Sequence, residues 1–156
     1  MTETAGTQHE LVLTRLIDAS RQNLFRCWSE PDLLKQWFAP LPYTTPHAEL
    51  DVRPGGSCLI TMRSPDGQDM PMQGVYLEVV ADEKLVTTDA FSSAWVPSAK
   101  PFMTTVVTFA DEAGKTRYTA RVRHWSAEDR AAHEAMGFHE GWGQCADQLA
   151  ALAVTL

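Results

Sequence analysis

The chain has 156 residues, with 13 Lys and Arg against 20 Asp and Glu, a net charge of −7, and 44% hydrophobic to 21% charged residues. That balance suits one globular domain, 1–156, with a core of its own, and excludes a disordered or fibrous chain. So acidic a surface lacks the clustered Lys and Arg that nucleic acid requires, and no apolar run approaches the ~18 residues of a membrane span, so neither nucleic acid nor membrane insertion is expected.

In chain order, "MTETAGTQHE" has no basic stretch leading into an apolar run, and residues 1–9 are expected to form a flexible lead rather than a signal peptide. Leu11 to Ile17 alternates as a strand. Ser20 then offers an N-cap to a short helix carrying Leu24, Phe25 and Trp28. In "SEPDLLKQWF", Ser29 as cap, Pro31 in the first turn and Asp32 beyond it predict a second short helix. Leu33, Leu34, Trp37 and Phe38 form its apolar side, and Pro40 and Pro42 end it.

The period then changes to alternation. "ELDVR", the turn "PGG" at Pro54 to Gly56, "SCLITMR", the turn "SPDG", "MQGVYLEVV", the turn "ADEK" and "LVTTDAF" read as a meander. "SSAWVPSAKP" is a loop holding Trp95, and "FMTTVVTFA" and "RYTARVRHW" are strands joined by "DEAGK". After Trp125, Ser126 and Asp129 form a capping box, and Ala135, Phe138, Trp142, Cys145, Leu149 and Leu152 fall in one stripe roughly 100° wide. One long helix laid on a sheet is expected. Within it Gly137 and Gly141 share an edge and Gly143 projects to the far side, although each interior glycine costs about 1 kcal/mol. Either the helix packs closely there, or Gly137 and Gly141 leave a notch beside Phe138 and Trp142 as wall space for a ligand.

The segments "DLLKQWFAP", "ELDVRPGGSC", "MQGVYLEVVADEKLV" and "HEAMGFHEGWGQCADQLAAL", with the spacing between them, cover the chain from about Leu11 to its end. In these the sequence resembles homologues of the heat-shock-90 ATPase activator, within the superfamily of START, polyketide-cyclase and birch-pollen-allergen (SRPBCC) domains. It departs from them at Ser20, where relatives often place proline after Ala19. The resemblance implies an α+β helix-grip fold: a curved antiparallel sheet of six to seven strands around a long C-terminal helix, with two short helices after the first strand. It also implies a cavity between that helix and the concave sheet, lined with apolar and aromatic groups.

Side-chain parity supports that cavity in part. In "RYTARVRHW" the face bearing Thr119, Arg121 and Arg123 must meet water, so Tyr118, Ala120, Val122 and His124 point inward. Tyr76 shares a face with Gly74, on a strand whose other face is also apolar. The candidate lining is Trp37, Phe38, Met62, Tyr76, Phe91, Trp95, Met103, Tyr118, His124, Phe138, Gly141 and Trp142. His124 is either an acid, base or polar handle, or a core histidine satisfied by a neighbouring hydroxyl or carbonyl. Tyr76 and Tyr118 divide the same way, and Trp95, with Phe91 and Phe102 near it in sequence, suits a gate.

No metal or cofactor is expected. His133 and His139 lie about 120° apart on a helix and H-E-x-x-H is absent. "GWGQCA" lies inside a helix instead of opening one after a strand, and no G-x-S-x-G occurs. Cys27, Cys58 and Cys145 are too few and too scattered for a disulfide framework, which reads as reduced thiols in a cytoplasmic protein. The expected function is binding of a small apolar or amphipathic molecule. A cyclase- or hydrolase-type enzyme using His124 with a tyrosine, and a chaperone-associated interaction module, are the alternatives. A homodimer through the exposed sheet face or the long loop fits any of them.

Overall fold

A computed structural model describes residues 9–156. The elements are β1 (Glu10–Ile17), α1 (Arg21–Ser29), α2 (Pro31–Leu34), β2 (Thr44–Leu50), β3 (Ser57–Arg63), β4 (Asp69–Val80), β5 (Lys84–Thr88), β6 (Phe91–Ser93), β7 (Val96–Pro97), β8 (Met103–Glu112), β9 (Lys115–His124), α3 (Ala127–Ala135) and α4 (Phe138–Ala153). Seven strands form one antiparallel sheet in the order β1-β9-β8-β5-β4-β3-β2, and β6 and β7 make a separate ribbon. This α+β arrangement of a sheet with a C-terminal helix is the helix-grip fold. The flexible lead expected over residues 1–9 lies outside the described residues except at His9, whose carbonyl accepts hydrogen bonds from His124 N at 2.8 Å and His124 Nδ1 at 2.9 Å.

Directly opposed residues on antiparallel strands share a face, so the register lays out the inner surface in rows. One row runs Leu13, Ala120, Val107, Leu85, Val79; the next runs Leu11, Val122, Thr105, Thr87, Tyr76. With α1 and α4 over them, Leu11, Leu13, Val107, Ala120 and Val122 join Phe109, Tyr118, Phe138 and Leu149 in the sealed core. The inward face expected for Tyr118, Ala120, Val122 and His124 is thus the buried one.

Ser20 caps α1 by accepting from Asn23 N, and Ser126 caps α3 by accepting from Asp129 N. Ser29 does not cap α2. It is the last residue of α1, where its hydroxyl donates to the Phe25 carbonyl at 2.7 Å, and Glu30 is the N-cap of α2. The strand expected at "ELDVR" also lies earlier, over Thr44–Leu50. Pro46 falls within it, as an edge strand allows, since a missing N–H is tolerated there. Asp51 to Gly56 instead folds into a tight turn, in which a Cβ on Gly56 would lie 1.9 Å from the Asp51 carbonyl oxygen.

The single long C-terminal helix is in fact two. Gly137 adopts φ +94°, a left-handed conformation that ends α3 and begins α4. The 3.6-residue phase carries across the break, so periodicity alone could not reveal it. Ala135, expected in the stripe, is exposed on α3. The three glycines therefore have separate causes. Gly137 serves the break. Gly143 is buried, and a Cβ there would lie 2.9 Å from the Arg15 guanidinium, while a Cβ on Gly141 would meet nothing within 4 Å. Gly137 and Gly141 do not form a shared notch in one helix.

Candidate functional site

The polar residues of "GWGQCADQL" grip the chain after α2. Gln148 Nε2 donates to the carbonyls of Trp37 at 2.9 Å and Ala39 at 2.8 Å, while its Oε1 accepts from Leu41 N at 3.2 Å. Gln144 Nε2 donates to the Leu41 carbonyl at 3.1 Å, and the Cys145 thiol to the Phe38 carbonyl at 3.2 Å. Burial pushes that thiol up to about 12, which keeps it protonated as a donor. Trp37 and Phe38 are fixed here against Trp28, with ring centroids 5.0 to 6.0 Å apart, and Trp37 Nε1 donates to the Cys27 carbonyl at 2.9 Å. The Gln144 and Gln148 pair at i,i+4 was the available sequence signal, and an apolar-stripe reading passes over it.

A second cluster joins α3 to the end of β9. His124 Nε2 and His133 Nδ1 lie 2.8 Å apart, ringed by Phe102, Phe138 and Trp142 within 5.2 to 6.4 Å of the His133 ring. The His9 carbonyl can only accept, so His124 Nδ1 carries a proton; His124 Nε2 then accepts, and the proton between the rings sits on His133 Nδ1. Burial, reinforced by His124, lowers the His133 pKa to about 4, so His133 is neutral at pH 7. Both nitrogens of His124 are engaged within the chain. His133 was the residue missed, because its partner lies on another element.

On β2, β3 and β4 the inner face continues in rows: Leu50, Cys58 and Gly74; Ala48, Ile60 and Met72; Met62 and Met70. Ile60 and Gly74 are buried, but Ala48, Leu50, Cys58, Met62, Met70 and Met72 are only partly so. Met103, opposite His124, and Trp142, stacked on Phe138 at 5.2 Å, are also half-buried. Burial raises the pKa of the Tyr76 hydroxyl, which sits beside the Cys58 thiol, and that of the Tyr118 hydroxyl, which sits beside the Trp28 indole. Both phenols are protonated at neutral pH.

Phe91 and Trp95 lie on the β6–β7 ribbon, edge to face at 5.8 Å. Beneath Trp95, a recess of about 410 Å³ is bounded by Arg53, Pro54, Gly55, Tyr76, Leu77 and Ala94. Another concavity, of about 340 Å³, runs between Arg15 to Asp18 of the first strand and its end and Ala146 to Val154 of the last helix, and holds none of the candidate residues. The structure does not gather the twelve candidates into one chamber. Trp37 and Phe38 belong to the gripped loop, His124, Met103, Phe138 and Trp142 to the histidine cluster, Tyr118 to the sealed core, Tyr76 to the buried inner face of β4 beside Cys58, Phe91 and Trp95 to the ribbon, and Met62 to the half-open face. Gly141 borders open space. Among the described residues no group of three or more His, Cys, Asp or Glu is placed to hold a metal.

Residues 18–153 match the model of the family described as "Activator of Hsp90 ATPase homolog 1-like protein". The chain belongs to this family. Its AHSA1-like fold, of the SRPBCC type, is commonly a ligand-binding one. A solved structure of a protein from Nitrosomonas europaea is 36% identical over 93% of this chain and 94% of that one, with a TM-score of 0.90. One from Mycobacterium smegmatis is 25% identical over 94% and 91%, with a TM-score of 0.80. One from Chromobacterium violaceum, 24% identical over 92% and 96% with a TM-score of 0.76, shares the fold. No curated protein matches the chain. Among the described residues of this AHSA1-like protein no helix is long and apolar enough to cross a membrane.

Proposed function

We propose that this protein holds a small apolar or amphipathic molecule on the inner face of β2, β3 and β4. The observation that carries the reading is the unequal burial of one continuous apolar surface. On the β1, β9 and β8 side its residues are sealed beneath helices, whereas on the β2 to β4 side Leu50, Met62, Met70 and Met72 remain partly open. Apolar surface left against water forgoes about 25 cal/mol per Å², which a bound hydrocarbon body would recover. Methionine suits such a surface because its unbranched side chain adapts to the shape it meets. Trp142 and Met103 extend the same half-buried character toward the histidine cluster.

The test is titration with dodecanoate, read by displacement of anilinonaphthalene sulfonate, together with native mass spectrometry of the protein as purified. Saturable binding that weakens at least tenfold in Met72→Glu, with the far-UV spectrum unchanged, supports the reading. Absence of saturable binding, or equal affinity in Met72→Glu, overturns it. An enzyme built on His124 with a tyrosine has less support, since His124 spends both ring nitrogens internally and neither buried phenol ionises near neutral pH. A chaperone-associated role rests on the family description alone.

A further inference from the structure

Trp95 combines two unfavourable features. It is 82% exposed, and its φ is +64°, a left-handed conformation that a bulky side chain rarely adopts. Such an outlier invites a functional explanation when it borders a recess. The recess below it has the volume of a small-molecule site. Its apolar boundary is Pro54, Leu77 and Ala94, and Leu77 is itself 46% exposed. Gly55, at φ +84° with nothing within 4 Å of where a Cβ would stand, leaves one side open and takes no side chain without strain. Two backbone bonds make that boundary an extension of β4: Gly55 N donates to the Tyr76 carbonyl at 2.8 Å, and Tyr76 N to the Gly56 carbonyl at 2.9 Å.

One boundary residue is charged. Arg53 is held by Asp51 in a two-pronged pair, Nε to Oδ1 at 3.0 Å and Nη2 to Oδ2 at 2.9 Å. That pair aims the guanidinium and uses two of its five N–H groups, so the others are free for an acceptor. We propose that the recess between Trp95 and the Arg53 turn is a second binding site, separate from the β2 to β4 face, for a small flat aromatic molecule bearing an anionic group. The ring lies between the Trp95 indole and Pro54 and Leu77, and the anion meets the remaining Arg53 N–H groups. Asp51 discourages purely anionic partners, so the ring is required as well as the charge. Phe91, edge-on to Trp95, braces the indole from one side.

The probes are 2-naphthoate and its uncharged counterpart 2-naphthylmethanol, titrated while the five tryptophan indole N–H signals are followed by NMR, with that of Trp95 assigned from its loss in Trp95→Phe. The proposal expects 2-naphthoate to shift the Trp95 signal saturably. Its affinity should fall at least tenfold in Trp95→Ala, an exposed substitution that spares the core. Arg53→Gln should weaken 2-naphthoate at least fivefold and leave 2-naphthylmethanol within twofold. A shift confined to the Trp142 signal would place the probe on the other face and overturn the proposal, as would equal affinity in Trp95→Ala. A Trp95 shift that follows protein concentration instead of probe would assign this patch to a second copy of the chain and would overturn it equally.

Discussion

Acidification from pH 7 to pH 5 should destabilise this protein through His133. In the folded state that ring is 8% exposed and neutral, with its pKa lowered to about 4 by burial and then by His124, whereas in the unfolded chain it takes a proton near its ordinary 6.5. The folded pKa is the depressed one, so the unfolded state binds more protons between the two values. The stabilisation is complete above about pH 6.5 and is lost as pH falls toward 4. At about 1.4 kcal/mol per pKa unit, the loss between pH 7 and pH 5 is about 2 kcal/mol, and at 2–4 °C per kcal/mol the midpoint falls by about 4–8 °C. Asp69 and Glu112 are held below the usual carboxylate range by Arg63 and Arg117. The assay is urea unfolding at pH 7, 6 and 5 for the parent and for His133→Gln, which keeps an N–H for His124 Nε2 but cannot titrate. His133→Gln should reduce the pH-dependent loss to less than about 0.5 kcal/mol. The same slope in both proteins would refute the assignment of a neutral His133.

Other expectations follow from the C-terminal helices. Gln148→Leu removes the donor to the Trp37 and Ala39 carbonyls and the acceptor for Leu41 N, and should cost about 1–3 kcal/mol in urea unfolding, with accelerated amide exchange over residues 37–41; unchanged stability and exchange would show that the grip is dispensable. Gly137→Ala and Gly141→Ala should move thermal midpoints in opposite directions. The first forces a side chain into φ +94° and costs about 1–2 kcal/mol, while the second puts a methyl into open space on a helix and gains about 0.5–1 kcal/mol. Shifts of the same sign would contradict the division of Phe138–Ala153 from the helix before it.

Sequence by itself determined what depends on neighbours along the chain. Alternation marked "SCLITMR" and "RYTARVRHW" as strands and gave the faces of the second, Ser20 and Ser126 marked helix starts, and four segments in order marked the family. Local sterics and hydrogen bonding decide these, so they leave a periodic trace. Only the tertiary structure decided what depends on partners remote in sequence. His133 became part of the His124 cluster because α3 turns back over the end of β9, and Gln148 became a loop anchor because its partners lie 107 to 111 residues away. Gly137 shows the same limit within one segment, for a positive φ leaves the hydrophobic period intact while redirecting the chain. The open half of the inner face was likewise hidden, since alternation states which way a methionine points and not how much of it the helices cover.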